Sequence, residues 1–155
     1  MEPHYYNIDI AWSKERKGMM CSPELKSGLE RNSGCIEVAT PPEFPKGMPG
    51  IWSPEHLFTA SVSSCLMTTF LAIAENSKLE FISFRCGSKG KLEQVEGKFM
   101  MTEVLLEPVV VLKDEKDVDR AMKVLLKSEA NCLISNSIKS KVTMKPVVEV
   151  QLQEA

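Results

Sequence analysis

From His4 to Trp12 apolar and polar residues alternate, with Tyr6, Ile8, Ile10 and Trp12 on one side, the two-residue period of a strand. Lys17 to Ser22 and Gly34 to Ala39 read as two further short strands, joined by the polar, glycine-bearing stretch SPELKSGLERNSG. Pro41 to Gly50 holds four Pro and two Gly in ten residues, which predicts a loop without regular structure. It leads into Ser53-Pro54-Glu55: a preferred N-cap, a residue preorganised for the first helical position, and an acid that suits the helix dipole. A helix from Pro54 to about Asn76 follows, with Ala60, Ser64 and Thr68 repeating at i+4 as a small-residue stripe.

Phe81 to Leu92 and Phe99 to Leu112 are β-rich and pair as a long hairpin around Val95-Glu96-Gly97-Lys98, with Pro108 marking an edge or a bulge. Lys113 to Ala130 predicts a second helix, acidic at its start and carrying Val118, Ala121, Met122, Leu125 and Leu126 at helical spacing. Asn131 to Ser140 reads as a break with a short helical turn, and Val142 to Leu152 as a closing strand. With no repeat and no linker, residues 1–155 are expected to form a single α+β domain with antiparallel sheet.

Leu57 to Ala74 is 18 residues without a charge. Six of them are Ser or Thr and Glu55 and Glu75 bracket the run, so a helix buried on most sides is expected rather than a membrane span. One domain with two long helices supplies too little cover for such a helix. An obligate two-fold homodimer is therefore expected.

The remaining composition narrows the chemistry. A net charge of −2, from 19 Lys+Arg against 21 Asp+Glu, offers little to a phosphate backbone, so nucleic acid is not an expected partner. Two histidines, His4 and His56, argue against a His-rich metal centre, and no cofactor is expected. The opening MEPHYYNIDI has no basic region followed by an apolar run, so no signal peptide is expected and the cytoplasm is the expected location. There the five cysteines, at 21, 35, 65, 86 and 132 and without a CxxC pair, are expected as thiols.

Cys65, in SVSSCLMTT, sits mid-helix, and Cys132, in ANCLISNS, sits at the break after the second helix; both are flanked by small polar residues. A reactive thiol must be held as thiolate, and burial alone works against that, so a cation is expected nearby. Arg16, Lys14, Lys17, Arg31 and Arg85 are the candidates. An acyl-transfer enzyme using Cys65 would need a general base. His56, nine residues away on the same helix, is roughly 14 Å off at 1.5 Å per residue.

The segment PPEFPKGMPGIWSPEHLFTASVSSCLMTTFLAIAE, with CLISNSIKSKV far downstream, resembles the osmotically inducible protein C / organic hydroperoxide resistance (OsmC/Ohr) family across nearly all of the chain. The resemblance implies an intertwined α+β homodimer with long buried central helices. It also implies a thiol-dependent peroxidase that reduces organic hydroperoxides and is recycled by an external dithiol. Under it Cys65 matches the peroxidatic cysteine, Cys132 the resolving cysteine, Glu55 the acid at the helix start and Arg16 the activating arginine. Leu133 stands where the family commonly has Pro. Apolar residues such as Trp52, Phe58, Met48 and Met67 would favour a lipid-like or aromatic hydroperoxide. The alternative is a binding or structural protein on the same fold, with idle thiols.

Overall fold

The alternation predicted near the N-terminus yields three strands: β1 (Asp9–Lys14), β2 (Lys17–Cys21) and β3 (Cys35–Ala39), an antiparallel sheet in the order β1-β2-β3. The computed structural model describes residues 1–25 and 34–152. Most of the polar β2–β3 connection, with the candidate cation Arg31, therefore lies outside the described residues. The described chain comprises two compact units, Met1–Leu57 and Phe58–Ala155.

In the first unit Gly18 stands opposite Trp12, where an added Cβ would lie 2.5 Å from the Ala11 carbonyl oxygen, so only glycine fits that crossing. Cys21 stands opposite Cys35, and the two are joined by a disulfide. The expectation that all five cysteines are thiols is corrected here. The antiparallel register, invisible in spacing alone, brings this pair face to face. The Pro-rich segment after β3 forms turns, held by the Thr40 N–H donating to the Arg16 carbonyl (3.1 Å) and the Met48 N–H donating to Thr40 (2.9 Å).

Helix α1 spans Pro54–Asn76, the predicted span, and the Ser53 hydroxyl caps it by accepting from the His56 N–H at 3.2 Å. In the second unit β4 (Ser83–Val95) and β5 (Lys98–Leu112) form the expected hairpin. Its turn residues Glu96 and Gly97 both take positive φ, 50° and 77°, as the tight turn demands. After a single 3-10 turn (Glu115–Asp117) comes α2 (Val118–Ala130), then β6 (Lys141–Met144) and β7 (Val147–Val150).

Three details differ from the sequence reading, the first being that the helix expected from Lys113 begins only at Val118, after the 3-10 turn. The closing strand is split in two at Lys145-Pro146, and both halves run parallel to β5, so the sheet is mixed rather than antiparallel. The chain leaves β5, crosses through α2 and returns in the same direction, the geometry a helical crossover imposes. Pro108 is in register opposite Cys86, not at a bulge; it falls between the β6-paired residues 103–106 and the β7-paired residues 109–112. The missing proline N–H therefore coincides with the gap in the neighbouring strand.

The same-side residues Val104, Leu106, Val110 and Leu112 of β5 are all fully buried. They pack against Val62, Leu66, Phe70 and Ala74 of α1 and Ala121, Val124 and Leu125 of α2 in two clusters. The expected burial of α1 on most sides is not supplied by one chain. Its buried residues are Val62, Cys65, Leu66, Phe70 and Ala74, one face only, while Met67 and Leu71 are 40% and 43% exposed. By length and composition alone α1 also suffices to cross a bilayer (mean hydropathy 1.7).

Candidate active site

Cys65 occupies the packed face of α1, one turn before Thr69, whose hydroxyl oxygen lies 4.0 Å from the sulfur. Cys132 comes two residues after α2 ends. Asn131 closes that helix by donating from its side chain to the Lys127 carbonyl (2.7 Å). The Cys132 N–H donates to Glu129 and the Cys132 carbonyl accepts from the Asn136 N–H, so the chain coils tightly around this cysteine. Coiling brings the Cys132 thiol and the backbone N–H groups of Leu133 and Ile134 to the Cys65 sulfur. Both cysteines are buried, Cys132 fully.

The two thiols are driven apart electrostatically. Burial pushes Cys65 up, but the Ile134 N–H, the Cys132 thiol, the Thr69 hydroxyl and the Leu133 N–H all favour its anion, and together they hold it below the ordinary thiol range. Cys132 is pushed above that range, first by burial and then by the hydrogen bond and negative charge of Cys65, against the opposing influence of the Ser135 backbone N–H. The pair therefore titrates as one coupled unit, in which Cys65 gives up its proton more readily than Cys132.

The sequence reading expected a cation beside Cys65, whereas these stabilising groups are backbone and hydroxyl dipoles. Arg85 is exposed on β4, where its neighbours Phe84 and Cys86 face the helices, so alternation turns it to the other face of the sheet. Arg16 and Glu55 are brought to one cavity in the first unit, about 730 Å³, which Lys17, Trp12, Val38 and Phe44 also line. Of the apolar residues expected beside the site, Met48 lines a neighbouring cavity with Arg16, Trp52 is exposed, Phe58 packs in the core, and Met67 is exposed. Trp12, Phe44 and Thr69 were missed. Thr69 was findable, since i+4 from a mid-helix cysteine is a neighbouring position. Among the described residues no three His, Cys, Asp or Glu side chains come together as a metal site.

A family model described as OsmC-like protein matches residues 47–147, a stretch that contains Glu55, Cys65 and Cys132 but not Arg16. The chain belongs to the OsmC-like protein family. This OsmC-like chain is 24% identical over 155 residues, 98% of each chain, to the uncharacterized protein YmaD of Bacillus subtilis (strain 168). Its fold is that of an OsmC-like protein of unknown function from Vibrio cholerae O1, with TM-score 0.80, 22% identity, and coverage of 94% of this chain and 100% of that one. It also matches an organic hydroperoxide resistance protein OsmC from Legionella pneumophila, with TM-score 0.71, 21% identity, and 97% and 100% coverage.

Replacing Thr69 with Val in this OsmC-like chain removes one donor to the Cys65 anion and is expected to raise its pKa. Iodoacetamide labelling of Cys65 against pH, read by peptide mass, should show the inflection moving to higher pH. The linked effect on stability has a definite sign. A thiol lowered in the folded state adds stability at pH above its unfolded value, and that contribution fades as pH falls through the folded value. Cys132, raised, works in the opposite sense and costs stability as pH rises.

Proposed function

We propose that this OsmC-like chain is a thiol-dependent peroxidase that reduces organic hydroperoxides to alcohols. The observation that carries the reading is the contact between a thiol biased toward thiolate, Cys65, and one biased toward retaining its proton, Cys132. The Cys65 thiolate attacks the terminal oxygen of ROOH. A sulfur–oxygen bond forms, the O–O bond breaks, and the alkoxide leaves and takes up a proton as ROH, with Cys65 now a sulfenic acid. Oxidation removes the Cys65 negative charge, which adds to burial in raising Cys132, so Cys132 becomes more acidic once it is needed. It then attacks the Cys65 sulfur, water departs, and the disulfide forms. An external dithiol reduces it by two exchange steps and leaves as its own disulfide.

Arg16 and Glu55 keep the roles the resemblance implies, an activating guanidinium and the carboxylate that orients it; their shared cavity supports this. We assign the uncovered face of α1, with Met67 and Leu71, to a second copy of the chain in a two-fold homodimer.

One stoichiometric oxidation tests the reading. Protein treated with one equivalent of cumene hydroperoxide and digested without reductant should yield a Cys65–Cys132 linked peptide, from a species that light scattering weighs as two chains. Recovery of both cysteines as free thiols would leave an OsmC-fold binding protein with idle thiols. Recovery of Cys65 as sulfinic acid with Cys132 free would remove the resolving step.

A further inference from the structure

We infer that Cys21 and Cys35 form a second, reversible redox site, separate from Cys65 and Cys132, that locks the β2–β3 ladder. Neither residue takes part in the peroxidase chemistry proposed above. They are directly opposed across the two strands with Cα atoms 4.1 Å apart, the close, non-hydrogen-bonded type of cross-strand pair, and they are bonded. Both are half-buried, and both line a cavity of about 560 Å³ with Ile8, Met20, Leu25 and Ile36. A small thiol or disulfide therefore has space to approach the sulfurs, which a fully enclosed structural bridge would not offer.

Position gives the bond a consequence. The β2–β3 register runs through five pairs, from Cys21 opposite Cys35 at one end to Lys17 opposite Ala39 at the other. Lys17, Gly18, Val38 and Ala39, at the far end, line the cavity that also holds Arg16 and Glu55. Closing the bond ties the end of this ladder at which the connection over residues 22–34 leaves β2 and enters β3, and so suppresses opening of both strands. Opening it leaves the ladder held by backbone hydrogen bonds and the Lys17–Glu37 ion pair (2.8 Å).

The chemistry is thiol–disulfide exchange with a low-molecular-weight disulfide, RSSR. The thiolate of one cysteine attacks RSSR and expels RS⁻, giving a mixed disulfide. The second thiolate attacks the protein sulfur of that bond and expels the second RS⁻. Two electrons pass from the protein to RSSR, and a small dithiol reverses both steps.

The test uses the full-length Cys65→Ser/Cys132→Ser chain, so that any disulfide formed is independent of the proposed peroxidase pair. Equilibration with oxidised glutathione, alkylation and peptide mapping should give a Cys21–Cys35 linked peptide, two hydrogens lighter, with Cys86 still alkylated. Reduced dithiothreitol under native conditions should return both thiols. Amide hydrogen exchange of β2 and β3 should be slower by about tenfold or more in the oxidised form. Free Cys21 and Cys35 after oxidation, a mixed disulfide that never closes, a bond that native protein does not release to dithiothreitol, or equal exchange rates would each overturn the inference. The wild-type chain run in parallel reports the same peptide should the double variant fold poorly. Loss of the Cys65–Cys132 peptide alone bears on the peroxidase reading and not on this one.

Discussion

Cys65→Ser is expected to abolish turnover of cumene hydroperoxide with a dithiol, a fall of at least about three orders of magnitude, because the serine hydroxyl is not ionised near neutrality and no other group supplies the nucleophile. Released alcohol, quantified by chromatography, is the measure. Cys132→Ser separates the two halves of the cycle. The first attack proceeds, so close to one alcohol per chain is released before the reaction stalls, and mass spectrometry should find Cys65 carried on to sulfinic acid. Arg16→Ala is expected to slow the first attack by about a hundredfold or more, the usual scale for removing a donor to a developing oxyanion. A Cys65→Ser chain as fast as wild type would end the enzyme assignment. Unchanged rates for Arg16→Ala alone would leave the thiolate to the Ile134 and Leu133 N–H groups and Thr69, which already face it.

The largest effect on stability is expected at Phe70. Its side chain is fully buried, stacks on Phe84 with ring centres 4.8 Å apart, and meets Phe81 edge-on at 5.2 Å. It belongs to the cluster that joins α1 to β5 and α2 through Val110, Leu112, Val124 and Leu125. Phe70→Ala leaves a cavity bounded by three elements that cannot all relax into it, and should cost about 3–5 kcal/mol in urea unfolding. Phe70→Leu, which refills most of the volume, should cost well under half of that. Equal costs would mean that the cluster repacks freely. Loss of Phe70 should also weaken the hold of α1 on the sheet, so faster alkylation of the otherwise buried Cys65 is expected to accompany the destabilisation.

Much of the fold was legible because its determinants are local. Ser53-Pro54 opens α1 where the cap demands it, and Glu96-Gly97 turns the hairpin where positive φ is needed. Cys65 and Cys132 stood out by context, and their contact was legible only through the family resemblance. The expected cation beside Cys65 illustrates the other side. A sequence lists charged side chains but conceals backbone N–H groups, every residue but proline having one, so the Leu133 and Ile134 donors carry no signature until the chain is folded.

The sequence by itself determined the extents of α1 and the hairpin, the α+β class, the family and the two cysteines worth testing, since caps, turns and periodicity act within a few residues. Only the tertiary structure decided the parallel return of β6 and β7, the bond between Cys21 and Cys35, the shared cavity of Arg16 and Glu55, and the dipoles that favour ionisation of Cys65. Each of these depends on strand register or on a crossover that joins distant parts of the chain, and register is settled by packing against the core rather than by neighbours in sequence.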